Sequence, residues 1–162
     1  MKMIVLINFF ILGFNQTTKG ANSLDYTLGY LYHDFGNNLA HHHELGEDIN
    51  IEIKKTYADS YILKTIYNPQ LAIGLSQNLS GFTNQVYLGF NWYKNFNSGF
   101  FGELFFGGVA HDGLDLPPSE RKKALGSKVM FREAICIGYN ITKKIGVSFM
   151  VDHASNASLA PV

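Results

Sequence analysis

The chain has 162 residues, enough for one domain of ordinary size, and 46% hydrophobic with 14% aromatic residues is ample for an ordered fold. Its 13 basic residues balance 13 acidic ones with no run of five like charges, so the electrostatic footprint of a nucleic-acid binder is absent. The single cysteine, Cys136, excludes an internal disulfide, and another device must hold an exported chain together.

The chain opens with Lys2, a largely apolar run from Met3 to Phe14, and then small polar residues. This is the pattern of a secretory signal, with Ala21 and Ser23 suited to the positions before cleavage. The apolar run is too short for the ~20 residues with which a helix spans a bilayer. Residues 1–23 therefore read as an export signal and residues 24–162 as the folded domain.

Beyond the signal, apolar residues recur with period two, which marks strands with two unlike faces. Segments at about 25–35, 47–55, 70–79, 84–95, 99–111, 126–140 and 145–155 read as strands. In EDINIEIKK, Ile49, Ile51 and Ile53 share one face, opposite Asp48, Asn50, Glu52 and Lys54. The stretch 57–66, YADSYILKTI, reads as an ordered connection rather than a further strand. In NQVYLGFNWY, Val86, Leu88, Phe90 and Trp92 oppose Gln85, Tyr87, Gly89 and Asn91. In KVMFREAICIGY, Val129, Phe131, Ile135, Ile137 and Tyr139 oppose Lys128, Met130, Arg132, Ala134, Cys136 and Gly138.

Alternation of this kind also suits a soluble sandwich or a lipocalin-like barrel. Strand length favours the membrane, because most segments exceed the ~5–6 residues common in soluble proteins and match the ~9–11 or more of tilted membrane strands. Glycines among aromatics, as in GFFGELFFGGVA, suit a narrow barrel filled by small and polar side chains. The expected fold is all-β, an antiparallel up-and-down outer-membrane β-barrel. Such barrels keep both termini in the periplasm, so 145–155 runs away from the cell. The tight connections 96–98 and 141–144 then lie on the periplasmic side, and the longer 36–46 and 112–125 lie outside. Two connections fit less well: 56–69 is long for a periplasmic turn and 80–83, SGFT, is short for an outer loop.

In the final stretch, VSFMVDHASNASLAPV, the outward row Ile145, Val147, Phe149 and Val151 extends by alternation to His153 and Ser155. Residues two apart on a strand are separated by roughly 6.5–7 Å at Cα with side chains on one face, so imidazole and hydroxyl can approach hydrogen-bond distance. A histidine so placed can remove the proton of a serine attacking a carbonyl. His-x-Ser alone is weak evidence, but two polar groups facing hydrocarbon cost free energy unless they lie at the interface or have a function. Pairing across the 141–144 turn requires an even register sum, which puts Glu133 opposite His153 or diagonal to it. Glu133 interrupts the row Val129, Phe131, Ile135 and Ile137, so it is either a local acid for the site or turned inward by a bulge to meet Arg132 or Lys128.

The stretches YLYHDFG, DINIEI, QVYLGFNWY, GGVAHDG, RKKALGSKVMFREAICIGYNIT and DHASNASLA resemble the lipid A 3-O-deacylases of Gram-negative outer membranes, also called acyloxyacyl hydrolases. The last is the specific one, matching that family's His-x-Ser-Asn-Ala pattern. The resemblance implies an eight-stranded barrel with a serine-hydrolase site on its outer surface. It implies lipid A of lipopolysaccharide as substrate, hydrolysis of the ester to a 3-hydroxyacyl chain, and no cofactor. By position it makes His153 the general base, Ser155 the nucleophile and Asn156 a contributor to the oxyanion hole. Asn156 points inward by alternation, so its backbone N–H or a local distortion would carry that role. The family's own acid, a glutamate, follows an Asn-x-Gly stretch beyond the serine, and neither that stretch nor a last strand is present. The expectation is therefore about seven strands of eight, in a C-terminally truncated chain that is itself inactive or unable to close.

His41, His42 and His43, with Glu44 and His33 nearby, read as a solvated loop rather than a metal site, because adjacent histidines alternate faces. His111 reads as a rim or interior hydrogen-bonding residue, Glu103 as the partner of an interior Arg132 or Lys128, and Cys136 as an inward structural residue. Two other functions share the pattern. One is a non-catalytic structural or adhesive outer-membrane barrel, and the other a soluble periplasmic barrel holding an apolar ligand.

Overall fold

The computed structural model describes residues 11–13, 22–32, 46–96, 98–113 and 127–155. Its strands are β1 (Ile11–Gly13), β2 (Leu24–Tyr32), β3 (Glu47–Lys55), β4 (Gln70–Asn78), β5 (Gln85–Asn95), β6 (Phe100–His111), β7 (Val129–Asn140) and β8 (Gly146–Ser155), with one short helix, α1 (Tyr61–Thr65), between β3 and β4. Neighbours in sequence pair antiparallel, and β1 also pairs with β8, so the sheet closes into a barrel. The seven strands β2 to β8 have 9 to 12 residues each. The eighth place is held by three-residue β1, which joins β2 through Ile11↔Gly29 and Leu12↔Leu28, and β8 through Ile11↔Ser148, Leu12↔Val147 and Gly13↔Gly146. β1 lies within the stretch that reads as an export signal, between β8 and β2, where a last strand is expected.

Closure follows from faces that alternate without slips. Along β2 and β4 every second residue is buried, and the other strands keep the same order over most of their length. The outward rows are apolar, including Leu28, Tyr30, Ile51, Ile73, Leu88, Phe106, Ile135 and Ile137. The inward rows carry Asp48, Asn50, Lys54, Gln70, Asn91, Arg132 and Asp152 together with Tyr87, Phe101 and Phe105. Polar groups on the inside and hydrocarbon on the outside invert the arrangement of a water-soluble protein, and this is the division a lipid solvent imposes on a closed sheet.

Interior polar groups are joined into networks, as burial requires. Asn50 Nδ2 donates to Ser76 Oγ at 2.9 Å and to Tyr87 Oη at 2.8 Å. Gln70 Nε2 donates to Asp25 Oδ2 at 2.6 Å. Glu103 takes a different partner from the one its sequence context suggests: Lys54 Nζ lies 2.7 Å from its Oε2 and 3.3 Å from Glu52 Oε1. Register is the reason. Glu103 faces Cys136 on β7, four residues along from Arg132, which puts the carboxylate near the turn end of the barrel with Lys54. Arg132 bonds Asp152 instead.

Gly89 and Gly107 face each other across β5 and β6, with the Phe105 ring against them. A Cβ on either would come within 2.7 or 2.8 Å of Phe105 Cζ and would also overlap backbone of the other strand. His111 ends β6 as a buried bonding residue, its Nε2 2.6 Å from Ser127 O and its Nδ1 accepting from Gly113 N at 3.1 Å. The histidines at 33 and 41–43, Glu44 and Asn156 lie outside the described residues.

Candidate functional site

The β7–β8 hairpin positions the candidate residues. Its register runs Phe131↔Ser155, Arg132↔Ala154, Glu133↔His153, Ala134↔Asp152 and Ile135↔Val151 without a bulge. Glu133 therefore stays in the outward row, exposed like Phe131 and Ile135, and directly opposite His153. His153 and Ser155 are half-buried on the same face as Val151, while Asp152 and Ala154 turn inward and are buried. Directly facing residues have Cβ atoms about 4.5–5.5 Å apart, and residues two apart on one strand are separated by roughly 7 Å at Cα. His153 is thus the corner of an L, with a carboxylate beside it across the strands and a hydroxyl beyond it along its own.

His153 Nδ1 is buried and has no hydrogen-bond partner among the described residues. An unpaired nitrogen removed from water costs about 1–3 kcal/mol. Glu133, directly opposite on the adjacent strand, carries an acceptor carboxylate to which this nitrogen makes no hydrogen bond. Hydrogen bonds of this kind are commonly long in a free site and tighten when a substrate excludes water.

The surroundings are apolar on the outside. β6 places Phe106 beside Glu133 and Leu104 beside Ile135, and the Phe106 and Phe131 rings stack at 6.3 Å. Below them, Ile135, Ile137, Phe149 and Val151 continue a hydrocarbon surface down the hairpin. Behind the site, inside the barrel, Arg132 Nε donates to Asp152 Oδ2 at 2.8 Å, and its Nη2 lies 2.6 Å from the same oxygen as an ion-pair contact. The guanidinium also lies over Tyr87, 3.7 Å from the ring centroid, and near Phe105 at 5.2 Å. This ion pair joins the same two strands that carry Glu133 and His153. Its partner assignment escapes a strand-by-strand reading, although alternation sends both residues inward; the observed register makes them diagonal neighbours.

Cys136 is buried and free. Among the described residues no cluster of three or more histidine, cysteine or acidic side chains is arranged to hold a metal ion.

The site and the barrel can be set beside known proteins. The family model described as Lipid A 3-O-deacylase (PagL) matches residues 8–161. No curated protein and no solved structure matches the chain. A match over nearly the whole chain, on an all-β barrel of long antiparallel strands, places this chain in the lipid A 3-O-deacylase (PagL) family.

Proposed function

We propose that the protein is an outer-membrane serine esterase that removes the ester-linked 3-hydroxyacyl chain from the 3 position of lipid A. The observation that supports this most is the outward patch in which Glu133 faces His153 and Ser155 follows two residues later, surrounded by residues that suit acyl chains. His153 takes the Ser155 proton as the hydroxyl oxygen attacks the ester carbonyl, and the tetrahedral intermediate then expels the sugar oxygen, which takes that proton back. The acyl group stays on Ser155 until a water, deprotonated by His153, releases it as a 3-hydroxy fatty acid and restores the serine. Glu133 holds the imidazole and balances its positive charge, a role the family gives to a glutamate elsewhere in its chain. Asn156, next to the nucleophile, contributes to the oxyanion hole. The chemistry needs no cofactor.

Substrate access follows from the exterior. Lipid A in the outer leaflet meets the patch sideways, its acyl chain lying along Ile135, Ile137 and Val151. The test is mass spectrometry of lipid A from cells expressing the gene with Ser155 or with Ser155→Ala. Loss of one 3-hydroxyacyl mass with the serine alone is the expected result. Identical spectra would leave a non-catalytic structural or adhesive barrel, and recovery of the chain in the aqueous fraction would oppose the membrane assignment altogether.

A further inference from the structure

The connection between β3 and β4 is longer than a strand turn needs, and it holds its largest side chains away from the protein. Tyr61, Ile62 and Tyr67 are 82%, 75% and 89% exposed, whereas Leu63 is turned in and buried. The helix is properly built: Ser60 caps it by accepting from Leu63 N, and Asn68 N closes it on Leu63 O at 2.8 Å. Tyr67 and Asn68 then take left-handed backbone, with φ of 65° and 50°. Asparagine tolerates that conformation, but tyrosine is strained in it, and strain kept in an exposed aromatic residue points to a use for the ring.

The position of the helix supplies the use. Trp92 is the last apolar residue of the outward row Val86, Leu88, Phe90 and Trp92 of β5, and its indole N–H donates to Ile66 O at 2.7 Å. The C-terminal end of α1 is thereby tied to the turn end of the barrel's outward apolar row. Lys64 is on the helix, Lys94 follows Trp92 in the outward row, and Lys55 lies over the Tyr57 ring at 4.7 Å, against a single exposed carboxylate in the connection, Asp59. Lys143 and Lys144 are exposed in the β7–β8 turn at the same end. Aromatic rings that are apolar on one side and wet on the other, with lysines beside them, have the chemistry of a membrane–water boundary carrying anionic headgroups.

We propose that the 56–69 connection is an interfacial anchor that inserts Tyr61, Ile62 and Tyr67 into the glycerophospholipid monolayer at the turn end of the barrel, with a preference for anionic headgroups. The anchor rests on the membrane reading above and extends it to a second lipid class on the opposite side from the candidate site. Its effect is to set how deeply the barrel sits, and so the height at which His153 and Ser155 meet the other monolayer.

Because Cys136 is buried and is the single cysteine, a fluorophore sensitive to polarity can be attached at Ile62→Cys, with the parent chain as blank. A second variant, Leu88→Cys, reports on the barrel's own lipid-facing band. Each is reconstituted as the full chain in phosphatidylcholine vesicles with and without phosphatidylglycerol, using brominated acyl chains as quencher. The expected result is a blue-shifted Ile62 label that loses fluorescence to the extent seen at Leu88, more so with phosphatidylglycerol, and a loss of that lipid difference in Lys64→Gln/Lys94→Gln. A water-like, unquenched label at Ile62 beside a quenched one at Leu88 overturns the anchor and leaves the barrel assignment standing. No quenching at either position overturns both, and equal quenching in the two lipids overturns the anionic preference.

Discussion

Glu133 is a carboxylate in a row of hydrocarbon side chains, and the outer wall of a barrel tolerates that poorly unless the charge lies near an interface or has a partner. In the proposed mechanism its place beside His153 gives the charge a use. Glu133→Gln is expected to lower the deacylation rate by roughly 10²-fold, a typical contribution from acid–base machinery, while leaving the folded barrel as resistant to heat and detergent as the parent. Full activity in that variant, measured on lipid A in mixed micelles, would reduce Glu133 to a surface charge. Part of this patch was legible beforehand, because alternation puts residues 129, 131, 133 and 135 on one face whatever the register unless a bulge intervenes, and it was the continuous pairing of β7 with β8 that removed the bulge. The choice between opposite and diagonal was not, since the conformation of the 141–144 turn decides it. The unpaired Nδ1 of His153 depends on a side-chain torsion and leaves no mark in the sequence.

At the level of elements, the β7–β8 hairpin is held from behind by the Arg132–Asp152 pair, which has Arg132 only 1% exposed. Removing one partner of such a pair leaves a buried charge uncompensated. Asp152→Asn should therefore destabilise the barrel by about 3–5 kcal/mol in urea unfolding from vesicles, whereas Arg132→Met combined with Asp152→Leu should be close to neutral. A small effect of the single change would mean that the other interior groups around Arg132 suffice. Gly107→Ala should cost about 1–3 kcal/mol by the same assay, since its added methyl meets the Leu88 carbonyl oxygen and the Phe105 ring. Strand limits were well marked by sequence, as at 47–55, where period two runs unbroken between flanking turns. Interior partners were not: Glu103 and Lys54 lie on β6 and β3, which share no edge, so only closure of the whole sheet brings them together.

The molecule as a whole depends on its seam. β1 contributes two residue pairs to β2 and three to β8, and without them both edges present backbone groups to hydrocarbon at several kcal/mol each. Residues 24–162 refolded alone should accordingly lose their native migration in cold SDS gels at a lower temperature than residues 1–162, and equal behaviour would show that the seam closes by another route. This strand was not legible, because Met3–Phe14 is largely apolar, broken only by Asn8 and Gly13, rather than alternating, and such a run carries the mark of an export signal instead. The filled interior has a kinetic consequence. With Tyr87, Phe105 and Arg132 packed across the lumen, the described interior leaves a lipid no route through the barrel, and under the proposed function substrate reaches the outward patch by two-dimensional diffusion. Turnover should then follow the mole fraction of lipid A within the bilayer: mixing in inert lipid slows it, while diluting the same vesicles with buffer leaves it unchanged.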